Sequence, residues 1–160
     1  MRNTPKAEKL ELVHTDVWGK TLVPSLGGSL YFVTFINDSN RKVWAYYLKH
    51  KSYVFMAQVE NESGRKLKCL KFNEGDEYYN GIFEEFCASR GIRRVKTIPG
   101  NSQQKRVAER MNRTILECAR SMHIHAGLHK KFQKDIVDTT AYLINRGPSV
   151  PLNYGIPEET

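Results

Sequence analysis

The clearest apolar periodicity in the chain lies in Ser102–Met122, SQQKRVAERMNRTILECARSM. Val107, Met111, Ile115, Cys118 and Met122 recur three and four residues apart, and with Ala108 and Ala119 they make one apolar stripe of a helix. The opposite face carries Arg106, Glu109, Arg110, Arg113, Glu117 and Arg120. Such a face has two readings. One is a solvated surface laced with i, i+4 pairs such as Glu109 to Arg113, each contributing only about 0.2–0.5 kcal/mol. The other is an acidic metal ligand, Glu109, set in a basic, phosphate-seeking surface.

Period-two alternation marks Leu10–Gly19, LELVHTDVWG, as a strand with Leu10, Leu12, His14, Asp16 and Trp18 on one face. Asp16 then points the same way as two core leucines, an unusual place for a carboxylate. Leu30–Ile36 is apolar on both faces and reads as a central strand, and Lys42–Leu48 as a third. Turn signals at Gly27-Gly28 and Asn37–Asn40 make these three an antiparallel meander.

Further along, Ser52–Glu62 reads as a short helix stopped by Gly64, and Leu67–Phe72 as a fourth strand. Asn80–Arg90 reads as a helix with Phe83, Phe86 and Cys87 inward, capped by Asn80 and stopped by Gly91, and Ile92–Thr97 as a fifth strand. The long basic helix follows and breaks at Gly127. Lys131–Asn145 is a last helix with Phe132, Ile136, Val137, Thr140 and Leu143 inward. The fourth and fifth strands need crossovers, so each runs parallel to a neighbour. The pattern predicts an α/β fold, a mixed five-stranded sheet with helices on both faces. Residues 1–9 read as a polar tail, 10–146 as the core, and 147–160 as a Pro-rich extension that packs on something or frays.

Composition adjusts this picture in three ways. The 160 residues suit one domain. The 25 Lys and Arg outnumber the 17 Asp and Glu, a net charge of +8, which favours a polyanionic partner, with nucleic acid ahead of an anionic membrane surface. The bland alternative is a merely basic soluble protein. Cys69, Cys87 and Cys118 are far apart, odd in number and set in apolar patterns, so they read as reduced core residues of an intracellular protein. The longest apolar run, Leu30–Ile36, is too short to span a bilayer, and the N-terminus lacks the apolar stretch of a signal peptide. His123, His125 and His129 cluster around a helix break and read as solvated or capping. His14 reads equally as support for Asp16 or as a half-core histidine.

Several blocks, in order, carry a resemblance: HTDVWG, LGGSLYFVTFIND, RKVWAYYLKHKS, GIRRVKTIPGNSQQKRVAERMNRTILECARSM and AYLINRGPSVPLNY. From about Leu10 to Glu159 the chain resembles the integrase catalytic core of copia-type retrotransposons. The resemblance implies an RNase H-like fold and a D, D, E triad holding two Mg²⁺ (or Mn²⁺) ions. Carboxylates suit such ions because Mg²⁺ is hard and prefers anionic oxygen. Paired ions serve an in-line phosphoryl displacement by activating the attacking hydroxyl and stabilising the leaving oxygen. On this resemblance the first Asp falls on Asp16 and the Glu on Glu109, and Gln103, Gln104, Asn112 and Arg113 line the DNA side. The helical wheel adds Arg106, Arg110 and Arg120 as phosphate contacts. The implied partners are DNA (element ends and target) and further copies of the chain, with no membrane, and the implied place is intracellular, in the nucleus if the chain functions.

The second Asp is where the sequence departs from the family. The family reads S-D-N-G-G-E-Y after the fourth strand, and this chain reads Phe72-Asn73-Glu74-Gly75-Asp76-Glu77-Tyr78. Asn73 offers one neutral carbonyl oxygen in place of a carboxylate. At 4 Å and an effective dielectric near 20, one lost charge pair costs about 4 kcal/mol, or about a thousandfold in rate. Glu74 points to the other face if the strand continues, and Asp76 lies beyond the turn at Gly75. Lys105-Arg106 also replace the family's usual Asn-Gly, and the first helix is several residues short. The sequence therefore supports three functions: a strand-transferring integrase core impaired at Asn73, a non-catalytic nucleic-acid-binding or dimerising remnant of the same fold, or a decayed fragment with no function.

Overall fold

The computed structural model describes residues 8–19, 23–49, 55–72, 81–96 and 106–160, with the Arg106 side chain excepted. The elements are β1 (Val13–Trp18), β2 (Tyr31–Asn37), β3 (Val43–Leu48), α1 (Phe55–Ser63), β4 (Cys69–Phe72), α2 (Gly81–Ser89), β5 (Arg93–Lys96), α3 (Arg106–Ala126) and α4 (Gln133–Arg146). Short 3₁₀ turns at Lys130–Phe132 and Val150–Leu152 flank α4.

The sheet order is β3-β2-β1-β4-β5. β1, β2 and β3 pair antiparallel, and β4 and β5 are added in parallel. This is the predicted mixed sheet, an RNase H-like α/β arrangement. Period-two alternation divides the side chains between two cores. Val13, Val33, Phe35, Trp44 and Leu70 pack under α1 and α2 against Met56, Val59, Phe83 and Cys87. Ile36 and Val43 pack under α3 and α4 against Ala108, Ile115, Ala119, Ile136 and Val137. Helices thus cover both faces.

The structure corrects several sequence expectations. β1 starts at Val13 and not at Leu10. Leu10 sits at φ 59 and is fully buried in the α1–α2 core, while His14 and Asp16 face α3. The left-handed backbone is held from both sides: Leu10 N donates to Asn37 Oδ1 (3.1 Å), and its carbonyl accepts from Lys68 N (3.0 Å). Leu10 and Asp16 therefore do not share a face. Cys118, placed in the core by the sequence pattern, is exposed, because Asn112 takes an interior position and rotates the buried stripe onto Ala108, Ile115 and Ala119. Phe132 and Leu143 point outward, at 38% and 52% exposure. Phe132 belongs to the 3₁₀ turn and not to the helix whose period placed it inward.

The last thirteen residues pack against the body. Ser149 bridges Gly155, Glu158 N donates to the Asn145 carbonyl, and the Glu158 carboxylate meets Lys42 and Arg146 at 3.7 and 2.8 Å. Among the described residues no helix is long and apolar enough to cross a membrane.

Candidate functional site

Two elements build the site. In β1 the alternation turns His14, Asp16 and Trp18 toward α3, opposite Ile36, Thr34 and Phe32 of β2. Gly19 ends the strand at φ +134, where an added Cβ would lie 2.8 Å from the Leu30 carbonyl oxygen, so the close approach to β2 requires glycine. In α3, Glu109, Asn112, Arg113, Leu116, Glu117 and Arg120 recur at helical spacing and form the other wall. Together with Asp16 and Trp18 they line one cleft of about 450 Å³. The fold thus brings Asp16 and Glu109 to one cleft from remote parts of the chain.

Asn112 lines the same cleft and is only 5% exposed. Its Nδ2 donates to Asp16 Oδ2 at 2.8 Å, and its Oδ1 accepts from Thr34 Oγ1 at 2.7 Å. Such burial is tolerable because both ends of the amide are bonded. Glu109 lies in the first turn of α3, where the helix dipole favours an anion. Arg113 and Arg120 are exposed at the cleft, and Arg110 is exposed on the adjoining surface. Trp18 is half-buried, its ring 5.3 Å from Phe32, which stacks on Tyr47 at 5.7 Å.

His14 supports the strand and not the cleft. Its Nε2 meets Asp38 Oδ1 at 3.0 Å, and Arg41 reaches the same oxygen at 3.2 Å. Burial pulls the neighbouring Lys71 ammonium below its usual range, with Asp38 opposing the shift. His129 accepts from Lys131 N at 3.2 Å and so caps the 3₁₀ turn.

Asn73, Glu74, Asp76, Gln103 and Gln104 lie outside the described residues, as does the Arg106 side chain. The parallel register of β1 and β4 is described as far as Thr15↔Phe72, one residue before Asn73. Sequence reasoning missed Thr34, Leu116 and Glu117. Thr34 did carry a signal: it is the lone aliphatic hydroxyl in the apolar run LYFVTFI.

Among the described residues no cluster of three or more His, Cys, Asp or Glu side chains could hold a metal ion, but the donor type at the cleft suits a hard divalent cation. Asp16 and Glu109 offer carboxylate oxygen, in a cleft whose wall also includes Glu117. Asp16 and Glu109 would hold such an ion, which when bound supplies the positive charge that phosphoryl displacement needs.

No family model matches the chain. It is 53% identical over 159 residues to a retrovirus-related Pol polyprotein from transposon TNT 1-94 of Nicotiana tabacum, covering 96% of this chain and 12% of that protein. It is 27% identical over 157 residues to a retrovirus-related Pol polyprotein from transposon RE2 of Arabidopsis thaliana, covering 94% of this chain and 11% of that protein. The chain thus spans about an eighth or less of these relatives' lengths. Its fold is similar to a chain in the cryoEM structure of the simian T-cell lymphotropic virus intasome in complex with PP2A regulatory subunit B56 gamma. The TM-score is 0.64 at 15% identity, over 89% of this chain and 55% of that one, a likeness of fold alone. By sequence the chain is similar to a segment of the retrovirus-related Pol polyproteins of plant transposons, and its mixed five-stranded sheet with helices is consistent with the RNase H-like fold of an integrase core.

Proposed function

We propose that this domain binds DNA and belongs to the Mg²⁺- or Mn²⁺-dependent strand-transfer chemistry of DNA integration, with catalysis in this chain weakened at Asn73. The observation that carries the proposal is the cleft itself: two carboxylates, Asp16 and Glu109, from remote segments line it beside Arg113 and Arg120. Acidic groups for a cation and basic groups for phosphate are what a polynucleotide-cutting site requires. Trp18 adds an aromatic face on which a nucleobase can stack. Self-association and action in the nucleus complete the proposal, in line with the resemblance to integrase cores.

A second function keeps the DNA contact without the chemistry. Arg110, Arg113 and Arg120 are exposed whatever stands at Asn73, so nucleic-acid binding survives a degenerate metal site.

Metal-dependent disintegration of a branched DNA separates the two. Asn73→Asp restores one carboxylate and is expected to raise the rate about a thousandfold over the unaltered chain. Robust activity of equal size in both proteins removes the impairment. DNA binding with no activity in either supports the non-catalytic function.

A further inference from the structure

Thr34 lies in the middle of β2 with no exposed surface, and its hydroxyl has one proton to give. Asn112 Oδ1 lies 2.7 Å from Oγ1, and the Asp16 carbonyl oxygen lies 3.5 Å away. The short contact is the real hydrogen bond, since 3.5 Å is at the edge of useful geometry. Once Oδ1 of Asn112 accepts from Thr34, its Nδ2 is the atom left to face Asp16 Oδ2 at 2.8 Å. Were the amide flipped, an amide oxygen would meet a carboxylate oxygen at that distance, with no proton between them.

We propose that Thr34 is a positioning residue for the cleft: it fixes the orientation of the Asn112 amide and, through it, the rotation of the Asp16 carboxylate. The three groups come from β2, α3 and β1, so the relay also ties helix to sheet. Glu109 lies one helical turn before Asn112 on α3. Anchoring Asn112 to β1 therefore fixes how the second carboxylate stands relative to the first. This rests on the proposed cation-holding role of Asp16, and the experiment below separates the two.

The test compares the unaltered chain with Thr34→Val, which keeps shape and removes the hydroxyl, and Thr34→Ser, which keeps the hydroxyl. Thr34→Ala serves as a second hydroxyl-free variant if valine does not fold. The first readout uses ¹⁵N-labelled protein without metal, at the Asn112 side-chain NH₂ resonances. The second is Mn²⁺ affinity at the cleft. In Thr34→Val the two NH₂ proton shifts are expected to converge and Mn²⁺ binding to weaken about ten- to a hundredfold, with Thr34→Ser near the unaltered chain in both. Valine behaving as serine in the resonances overturns the proposal. So do converged resonances with unchanged Mn²⁺ affinity, because Asp16 is then held some other way. If even the unaltered chain takes up no Mn²⁺ at the cleft, the cation role of Asp16 falls, and the Asn112 resonances alone decide whether Thr34 sets the amide.

Discussion

Asn145 clasps the backbone of Val43 with both ends of its side-chain amide. Oδ1 accepts from Val43 N and Nδ2 donates to the Val43 carbonyl, each at 2.8 Å. β3 is an edge of the sheet, so Val43 has no strand partner on that side. Asn145 supplies one from α4 and is itself buried. Asn145→Ala strands two backbone groups and is expected to cost about 2–6 kcal/mol, given about 1–3 kcal/mol for each unmet group. Urea unfolding reads the loss as a lower midpoint at unchanged slope. A shift below about 0.5 kcal/mol would mean that water replaces the amide at no cost.

Tyr47 presents the opposite case. Its hydroxyl is buried with no hydrogen-bond partner among the described residues. Tyr47→Phe is therefore expected to be neutral or about 1 kcal/mol stabilising at pH 7. Burial, aided by the Asp138 charge, pushes the Tyr47 hydroxyl above its usual range. Tyr46 is raised too, by burial and then by Glu62. A folded-state value above the unfolded one leaves stability intact below about pH 10 and lowers it as pH rises past that point, where the unfolded chain ionises first. Denaturation midpoints from pH 8 to 11 should be flat and then fall, with a shallower fall in Tyr47→Phe. An identical fall in both proteins would assign the alkaline loss to other groups.

Much of the fold was legible because strand signals were local. The apolar run of β2 and the turns beside it fixed the meander, and the spacing of β4 and β5 required crossovers. What escaped were contacts between segments remote in sequence. Leu10 alternates correctly for a strand, yet Asn37 captures its N–H and turns the chain. Cys118 and Ala119 are neighbours on one helical wheel, and only the inward polar side chain of Asn112 decides which of them is buried. The candidate site was legible by type, since Asp16 and Glu109 do share a cleft. Thr34 was not, because its value lies in a partner 78 residues away.

The exposed arginines of α3 carry a second electrostatic expectation. Arg110→Ala combined with Arg113→Ala should weaken DNA binding and make its salt dependence shallower by about 2 in logarithmic slope, if each contacts one phosphate. Binding titrations across a range of KCl concentrations measure this directly. An unchanged slope would place the DNA on another surface.

Trp18 allows an optical reading of the cleft. The chain has two tryptophans, and Trp44 is buried on the far side of the sheet. In a Trp44→Phe protein, added single-stranded DNA should quench the remaining Trp18 fluorescence, and Trp18→Ala should weaken binding by about 1–3 kcal/mol. Tight binding with no quenching would mean that nucleobases do not enter the cleft.

The central claim is that Asp16 and Glu109 together hold a divalent cation, and Mn²⁺ titration of ¹⁵N-labelled protein tests it most directly. Paramagnetic broadening should begin at amides flanking Asp16 and Glu109 and should vanish at the same Mn²⁺ concentration in the Asp16→Asn, Glu109→Gln double variant. Broadening centred elsewhere, or persisting undiminished in that variant, would contradict the claim.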